Sequence, residues 1–276
     1  VIVWNKGTLS DEARQLDADT QKSISSIIKS GDFSGKLGQT LISYAPSGIK
    51  AKRVLLIGAG MKSKFDARHA GRTLAAAARS LCRSKAATAH FALGSIEVKD
   101  RDANWLASQL SRALEDASYR YDSTKSKKPG QVSLKSVSLT PPTGARRKAV
   151  QEALKYGQAV GQGMNVAKEL GNLPGNICTP TYLANEGKSL ADKYKSISTR
   201  VLTEKQMARL GMGSLLSVAA GSAEEAKLII MEYKGAAAKS EPYALVGKGI
   251  TFDTGGISLK PGMAMDEMKF DMCGAA

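Results

Sequence analysis

Short apolar runs and amphipathic stretches take turns along the first third of the chain, and that alternation restricts it to a sheet with helices on its faces. VIVW at the start, QTLISYA, RVLLIGAG and TAHFALG near residues 88 to 94 read as strands. Between them lie helical patterns from about Ser10 to Lys29, Asp66 to Leu81 and Asp102 to Tyr121. In the last of these Trp105, Leu106, Leu110, Ala113 and Leu114 recur at helical spacing. The order predicts an α/β domain.

The tract STKSKKPGQVSLKSVSLTPPTGARRK is rich in Ser, Lys, Pro and Gly, although QVSLKSVSL within it alternates like an edge strand. A boundary is expected near residue 145. An apolar stripe from Val150 through Leu154, Val160 and Met164 to Leu170 then predicts a long bridging helix ending at GNLPGN. Thr179 before Pro180 opens a helix running to about Tyr194, and Thr203 with Gln206 forms a capping box for one ending near Leu210. LLSVAAG, AKLIIMEYKG and YALVGKGITF read as buried strands of a larger sheet. The expected organisation is an N-terminal α/β domain over residues 1–145, a bridging helix over 146–172, and an incomplete second domain over 173–276.

Charge and composition narrow the function classes. The formal charge is +15 and the pI near 9.7, a balance that favours polyanions such as nucleic acid. The basic residues are scattered, however, without stacking aromatics beside them, which suits a solvated surface. No run is long and apolar enough to cross a bilayer and the start lacks signal-peptide order, so the expected compartment is the cytoplasm. Cys82, Cys178 and Cys273 are widely spaced and odd in number, which suits reduced thiols. With only His69 and His90 present, any metal site must draw on other ligands, carboxylates first.

The chemistry concentrates in YALVGKGITFDTGGISLKPGMAMDEMKFDMCGAA, Tyr243 to Ala276. Lys248 interrupts an apolar run, where burial would favour a neutral amine able to ligate a metal. Asp253 stands where that strand should end, before Thr254, Gly255 and Gly256, and strand ends are where α/β sheets place ligands. Asp271 precedes Gly274, Ala275 and Ala276, whose small size permits close approach. Each residue also has a plain reading: Lys248 can snorkel, Asp253 can serve a turn, and Lys260 can be a loop charge. Asp266, Glu267, Lys269 and Asp271 can form a solvated helix start, and Met263, Met265, Met268 and Met272 can fill a core.

Taken together, Val246 to Ala276 resembles the signature of the leucine aminopeptidase family, dinuclear metallo-aminopeptidases whose pattern is close to VGKGITFDTGG, a lysine, a DEMK-like step and DM[CG]GAA. ELGNLPGNICTPTYLA, from Glu169 to Ala184, is similar to that family's entry into its catalytic domain. The resemblance implies that Lys248, Asp253 and Asp271 are metal ligands, with Asp253 touching both of two divalent cations. It further implies that Lys260 is catalytic and polarises the scissile carbonyl, that Met268 lines the pocket for the first side chain, and that Asp271 receives the substrate's amino group. The implied reaction is release of N-terminal residues such as leucine by a metal-activated water. Zn or Mn are the expected metals, bicarbonate is a further expected cofactor held by an arginine beyond the sequence shown, and a homo-hexamer is the expected assembly. The implied second domain is the first part of a mixed, mainly parallel α/β catalytic sheet.

One departure stands out. The family's NTDAEGR-type segment, which supplies a further aspartate, a bridging glutamate and the bicarbonate-binding arginine, does not occur in Val1 to Ala276. The expectation is therefore that this stretch is a fragment, binding metal poorly and lacking catalysis by itself. Two nucleotide motifs fail: RVLLIGAGMKS has Ser63 where the third glycine should fall, and GKGITFDTGG lacks a Gly-Lys-Ser/Thr ending. Nucleic-acid binding through the basic surface remains the alternative, distinguishable by its steep salt dependence, and a non-catalytic scaffold is the third reading.

Overall fold

A computed structural model describes residues 1–237 and 240–276. The chain divides into two compact units, Val1–Asp122 with Ser126–Asn165, and Ser123–Lys125 with Val166–Ala276. In the first, strands β1 (Ile2–Val3), β2 (Thr40–Tyr44) and β3 (Arg53–Gly58) form a sheet in the order β1-β3-β2. β1 runs parallel and β2 antiparallel to the central β3. β4 (Thr88–Ala92) and β5 (Ser136–Thr140) form a parallel pair, so the tract expected to carry an edge strand does so.

β3 shows why the run RVLLIG had to be buried on both faces. Alternate side chains point to opposite sides of a strand. Val54 and Leu56 accordingly pack with Val3, Ile24 and Phe33, while Ile57 and the partly buried Leu55 join Leu74, Leu81, Phe91 and Leu110. The second group is the larger core and rests on α3 (Ala67–Arg83) and α4 (Ala103–Ser118), capped by Asp66 and Asp102, whose carboxylates accept from the N–H groups of His69 and Trp105. Trp4 meets Phe65 edge to face at 5.0 Å. The glycines of RVLLIGAG are structural: a Cβ on Gly58 would lie 2.0 Å from the Lys36 carbonyl oxygen, and Gly60 sits at φ +74 against Leu37. Chain, not a phosphate, fills the space above that turn.

The helix expected over Ser10 to Lys29 is two helices, α1 (Asp11–Asp19) and α2 (Ser23–Lys29). Gln21 and Lys22 take left-handed conformations at φ 54 and 66 between them. The buried Asp17 compensates that break, its carboxylate accepting from Ser25 N–H at 2.9 Å and Ser25 Oγ at 2.6 Å. The bridging pattern forms α5 (Arg147–Asn172), inside which the division between units falls. On its first part Gly157 admits close contact with α4, since a Cβ there would lie 2.0 Å from the Ser108 carbonyl oxygen.

In the second unit α6 (Pro180–Lys193) begins as expected, with Thr179 Oγ accepting from Tyr182 N–H. β6 (Ile197–Leu202) and β7 (Leu228–Tyr233) pair antiparallel. α7 (Glu204–Arg209) carries the capping box of Thr203 and Gln206. LLSVAAG is not a strand: its first five residues lie in α8 (Gly213–Ala219). Met212, Leu215, Leu216 and Ala219 follow helical spacing and together cover Leu202, Met207 and Ala226, a period hidden inside a short apolar run. YALVGKGITF forms no strand either: among the described residues nothing pairs with it, and Tyr243, Leu245 and Val246 are at least 98% exposed. Among the described residues, no helix is long and apolar enough to cross a membrane.

Candidate metal centre

Lys248 and Asp271 are brought together by two glycines. A Cβ on Gly247 would lie 2.3 Å from the Gly274 carbonyl oxygen, and one on Gly274 would lie 3.1 Å from the backbone N and O of Lys248. Any larger residue would separate the two segments, so GKG and CGAA can lie side by side only as written. Lys248 Nζ then reaches Asp271 Oδ1 at 2.8 Å. The lysine side chain is 56% exposed and ion-paired rather than enclosed by apolar groups, which corrects the expectation of a desolvated amine.

A second pair forms beside the turn after Asp253. Gly255 and Gly256 take φ of 97 and 71, conformations open to glycine, and Asp253 Oδ1 accepts the Gly255 N–H at 2.8 Å. The Lys260 N–H closes the loop onto the Thr254 carbonyl at 2.9 Å. This sets Lys260 Nζ at 2.8 Å from Asp253 Oδ2 and 3.1 Å from Met268 Sδ. The ammonium of Lys260 is the main cause that holds the Asp253 carboxyl below its usual range, followed by the Gly255 N–H, with Lys248 adding a further charge effect. That influence of Lys248 links the two ion pairs into one electrostatic cluster.

The cluster is anchored to the upstream GNLPGN segment. Gly175 lies against Phe252, where an added Cβ would meet the ring-bearing carbon at 2.4 Å, and Gly171 lies against Cys273 Sγ and Phe270. Met272 is fully buried. Gly171, Gly175, Phe252 and Phe270 therefore position the site although none was singled out in the sequence. Their signal was the pair of glycines in Gly171–Gly175, legible as close-approach positions but without any indication of what approaches.

Lys248, Asp253, Lys260, Met268 and Asp271 are thus gathered into one segment, whereas His69 and His90 lie in the first unit. Asp66 Oδ1 holds His69 Nδ1 at 2.7 Å, and Ser138 and Thr140 engage both ring nitrogens of His90. Among the described residues no three His, Cys, Asp or Glu side chains converge on one point. The two ion pairs between them offer two carboxylates and, once Lys248 gives up its proton, an amine, a donor set that suits a hard or borderline divalent cation. Asp271 Oδ2 strengthens that fit: it is buried with no hydrogen-bond partner, a costly state for a carboxylate oxygen that a cation would relieve.

Comparison with known proteins agrees with both units. A sequence profile described as the cytosol aminopeptidase family, N-terminal domain, matches residues 1–128, and one described as the catalytic domain of that family matches residues 165–276. The chain is 46% identical over 277 residues to a probable cytosol aminopeptidase of Alkalilimnicola ehrlichii, covering 100% of this chain and 56% of that protein. It is 45% identical over 268 residues to the cytosol aminopeptidase of Pseudomonas aeruginosa, covering 97% of this chain and 54% of that one. Among solved structures it is similar to a tomato leucine aminopeptidase mutant, with TM-score 0.80 and 27% identity over 96% of this chain and 50% of that one. It is also similar to a bottromycin maturation enzyme in complex with Mn, with TM-score 0.73 and 25% identity over 99% and 52%. The chain spans about half the length of the curated relatives it matches.

Proposed function

Since the chain belongs to the cytosol aminopeptidase family, we propose that the protein hydrolyses the first peptide bond of peptides, releasing residues such as leucine, with divalent cations held partly by this chain. The observation that carries the reading is the cluster of Lys248, Asp253, Lys260 and Asp271, with one buried carboxylate oxygen left bare. Lys248, Asp253 and Asp271 would hold the cations, Zn or Mn, Lys248 as the free amine once a cation replaces its ion pair with Asp271. Bound there, such cations supply Lewis acidity and a water of lowered pKa.

The chain's own residues account for binding and polarisation. Lys260 Nζ lies 2.8 Å from Asp253 Oδ2, and its N–H can turn from that carboxylate towards a substrate carbonyl and stabilise negative charge as it develops there. Asp271 also offers its carboxylate to the ammonium of a peptide's N-terminus. Met268, in contact with Lys260, supplies a polarisable surface for the first side chain. In this reading residues 1–145 form the N-terminal domain, 146–172 the bridge and 173–276 the start of the catalytic domain, in a cytoplasmic homo-hexamer. A mixed, mainly parallel catalytic sheet accords with the catalytic-domain match, β6 and β7 being an antiparallel part of it. Bicarbonate would be a further cofactor of the reaction.

The reading is tested by Mn titration of the protein followed by electron paramagnetic resonance. Asp253→Asn and Asp271→Asn should each weaken Mn binding by about tenfold or more, the loss typical of removing a charged ligand. Equal Mn affinity in both variants and the unmutated protein would remove these residues from the metal site.

A further inference from the structure

We propose that the first unit carries a binding site for a small phosphate-bearing anion, in the groove between the C-terminal half of α3 and the edge of β2. The groove has a volume of about 320 Å³ and is lined by Arg79 and Arg83 together with the hydroxyl-bearing Thr40, Ser80 and Ser84. A neighbouring hollow of about 360 Å³ shares both arginines and adds Arg120 from the end of α4. Between them the two hollows are lined by three guanidiniums and a single carboxylate, Asp116, which has an interaction of its own.

The helix itself explains little of this arrangement. The buried face of α3 carries Ala70, Thr73, Leu74, Ala77, Ala78 and Leu81, which places Arg79 and Arg83 on the opposite side. They are four residues apart, so their charges repel across one turn. Arg83 gains from the negative end of the helix dipole, but Arg79 lies a turn earlier and does not. Among the described residues no carboxylate pairs with either. Arg120 is held towards the same hollow by donating from Nη1 to the carbonyls of Ala117 and Tyr119. Repelling cations kept at short spacing over a hollow are stabilised by an anion that binds them together.

The chemistry selects phosphate. Planar guanidiniums present paired donors that match phosphate oxygens, and the hydroxyls of Thr40 and Ser80 serve the oxygens the arginines leave unpaired, the Ser84 hydroxyl being spent on the Leu81 carbonyl. The volume is that of a small-ligand cleft, and Tyr44, whose ring faces the Arg53 guanidinium at 5.6 Å, stands at its rim. A nucleic acid would instead require basic residues and stacking rings along an extended track. Nothing in this site depends on the peptidase reading, because every residue in it lies in the first unit.

Calorimetric titration of the 276-residue chain with inorganic phosphate, pyrophosphate and a short DNA duplex tests the proposal. The expected result is one saturable site per chain for pyrophosphate, with phosphate weaker. Arg79→Ala and Arg83→Ala should each weaken it about tenfold, as expected when one charge-assisted contact is removed. Arg79→Lys and Arg83→Lys keep the charge and the exposed helix surface, so they should retain a weaker site even if an alanine variant folds poorly. The proposal is overturned if pyrophosphate does not saturate, if all four variants bind it like the parent, or if only DNA binds with a stoichiometry set by duplex length.

Discussion

RVLLIGAG at Arg53–Gly60 and YALVGKGITF at Tyr243–Phe252 look alike as sequences, each a β-prone run punctuated by glycine, yet their fates are opposite. β3 has a strand on either side and an apolar layer on each face, and Leu56 within it is fully buried. In the second run Leu245 and Val246 are 98% exposed and no ladder forms. The difference lies in the neighbours, because a strand is stabilised by cross-strand pairs and same-face packing and not by its own propensity. Burying each such side chain is worth roughly 1.5–3 kcal/mol, a gain that β3 realises and Tyr243–Phe252 does not. What the second region does hold is the charged cluster, fixed by glycine contacts and ion pairs.

The largest expected effect comes from cutting the same side chain in both runs. Leu56→Ala should destabilise the first unit by about 2–5 kcal/mol in urea unfolding, whereas Leu245→Ala should stay within about 0.5 kcal/mol. Equal effects would erase the contrast. Next is Gly157→Ala, which forces a Cβ onto the Ser108 carbonyl and should cost about 1–3 kcal/mol. On the same helix Gly163 has nothing within 4 Å, and Gly163→Ala should instead gain up to about 1 kcal/mol. In the charged cluster, Gly247→Ala should leave the thermal unfolding of the first unit unchanged while weakening Mn binding, since it parts Lys248 from Asp271.

The smallest effects are acid titrations, one in each region. Asp66 accepts the His69 backbone N–H and its imidazole, which together hold its carboxyl at about 2. A pKa depressed on folding stabilises above the unfolded value of about 3.9 and stops doing so as pH falls through the folded value. Stability of the first unit should therefore decline from about pH 4 towards about pH 2, and Asp66→Asn should flatten that part of the curve. Asp253 is depressed chiefly by Lys260, so Lys260→Ala should move its carboxyl resonance back towards the ordinary range in an NMR titration, without moving that of Asp66.

How much could be read in advance follows the same division. The stripes of α4 and α5, the helix starts near Asp66 and Asp102, and the caps at Thr179 and Thr203 are local signals and appeared where expected. Three local readings failed: Gln21 and Lys22 break a helix because Asp17 can reach Ser25, LLSVAAG concealed a helical period in too short a window, and YALVGKGITF has no neighbouring strand among the described residues to pair with. The site's candidates were visible as an improbable density of Lys, Asp and Gly. Their partners were not, because Lys248 meets Asp271 and Lys260 meets Asp253 through backbone approaches at Gly247, Gly255 and Gly274 that no spacing rule encodes.

The most direct test of the central claim is hydrolysis of leucine p-nitroanilide, with added Mn or Zn, by a polypeptide that joins this chain to the family's NTDAEGR-type segment, repeated after chelation and with Lys260→Ala. The account predicts metal-dependent release of p-nitroaniline, abolished by the chelator and reduced by about a hundredfold or more in the variant. Hydrolysis that survives chelation, or that proceeds unchanged without the Lys260 ammonium, would contradict it.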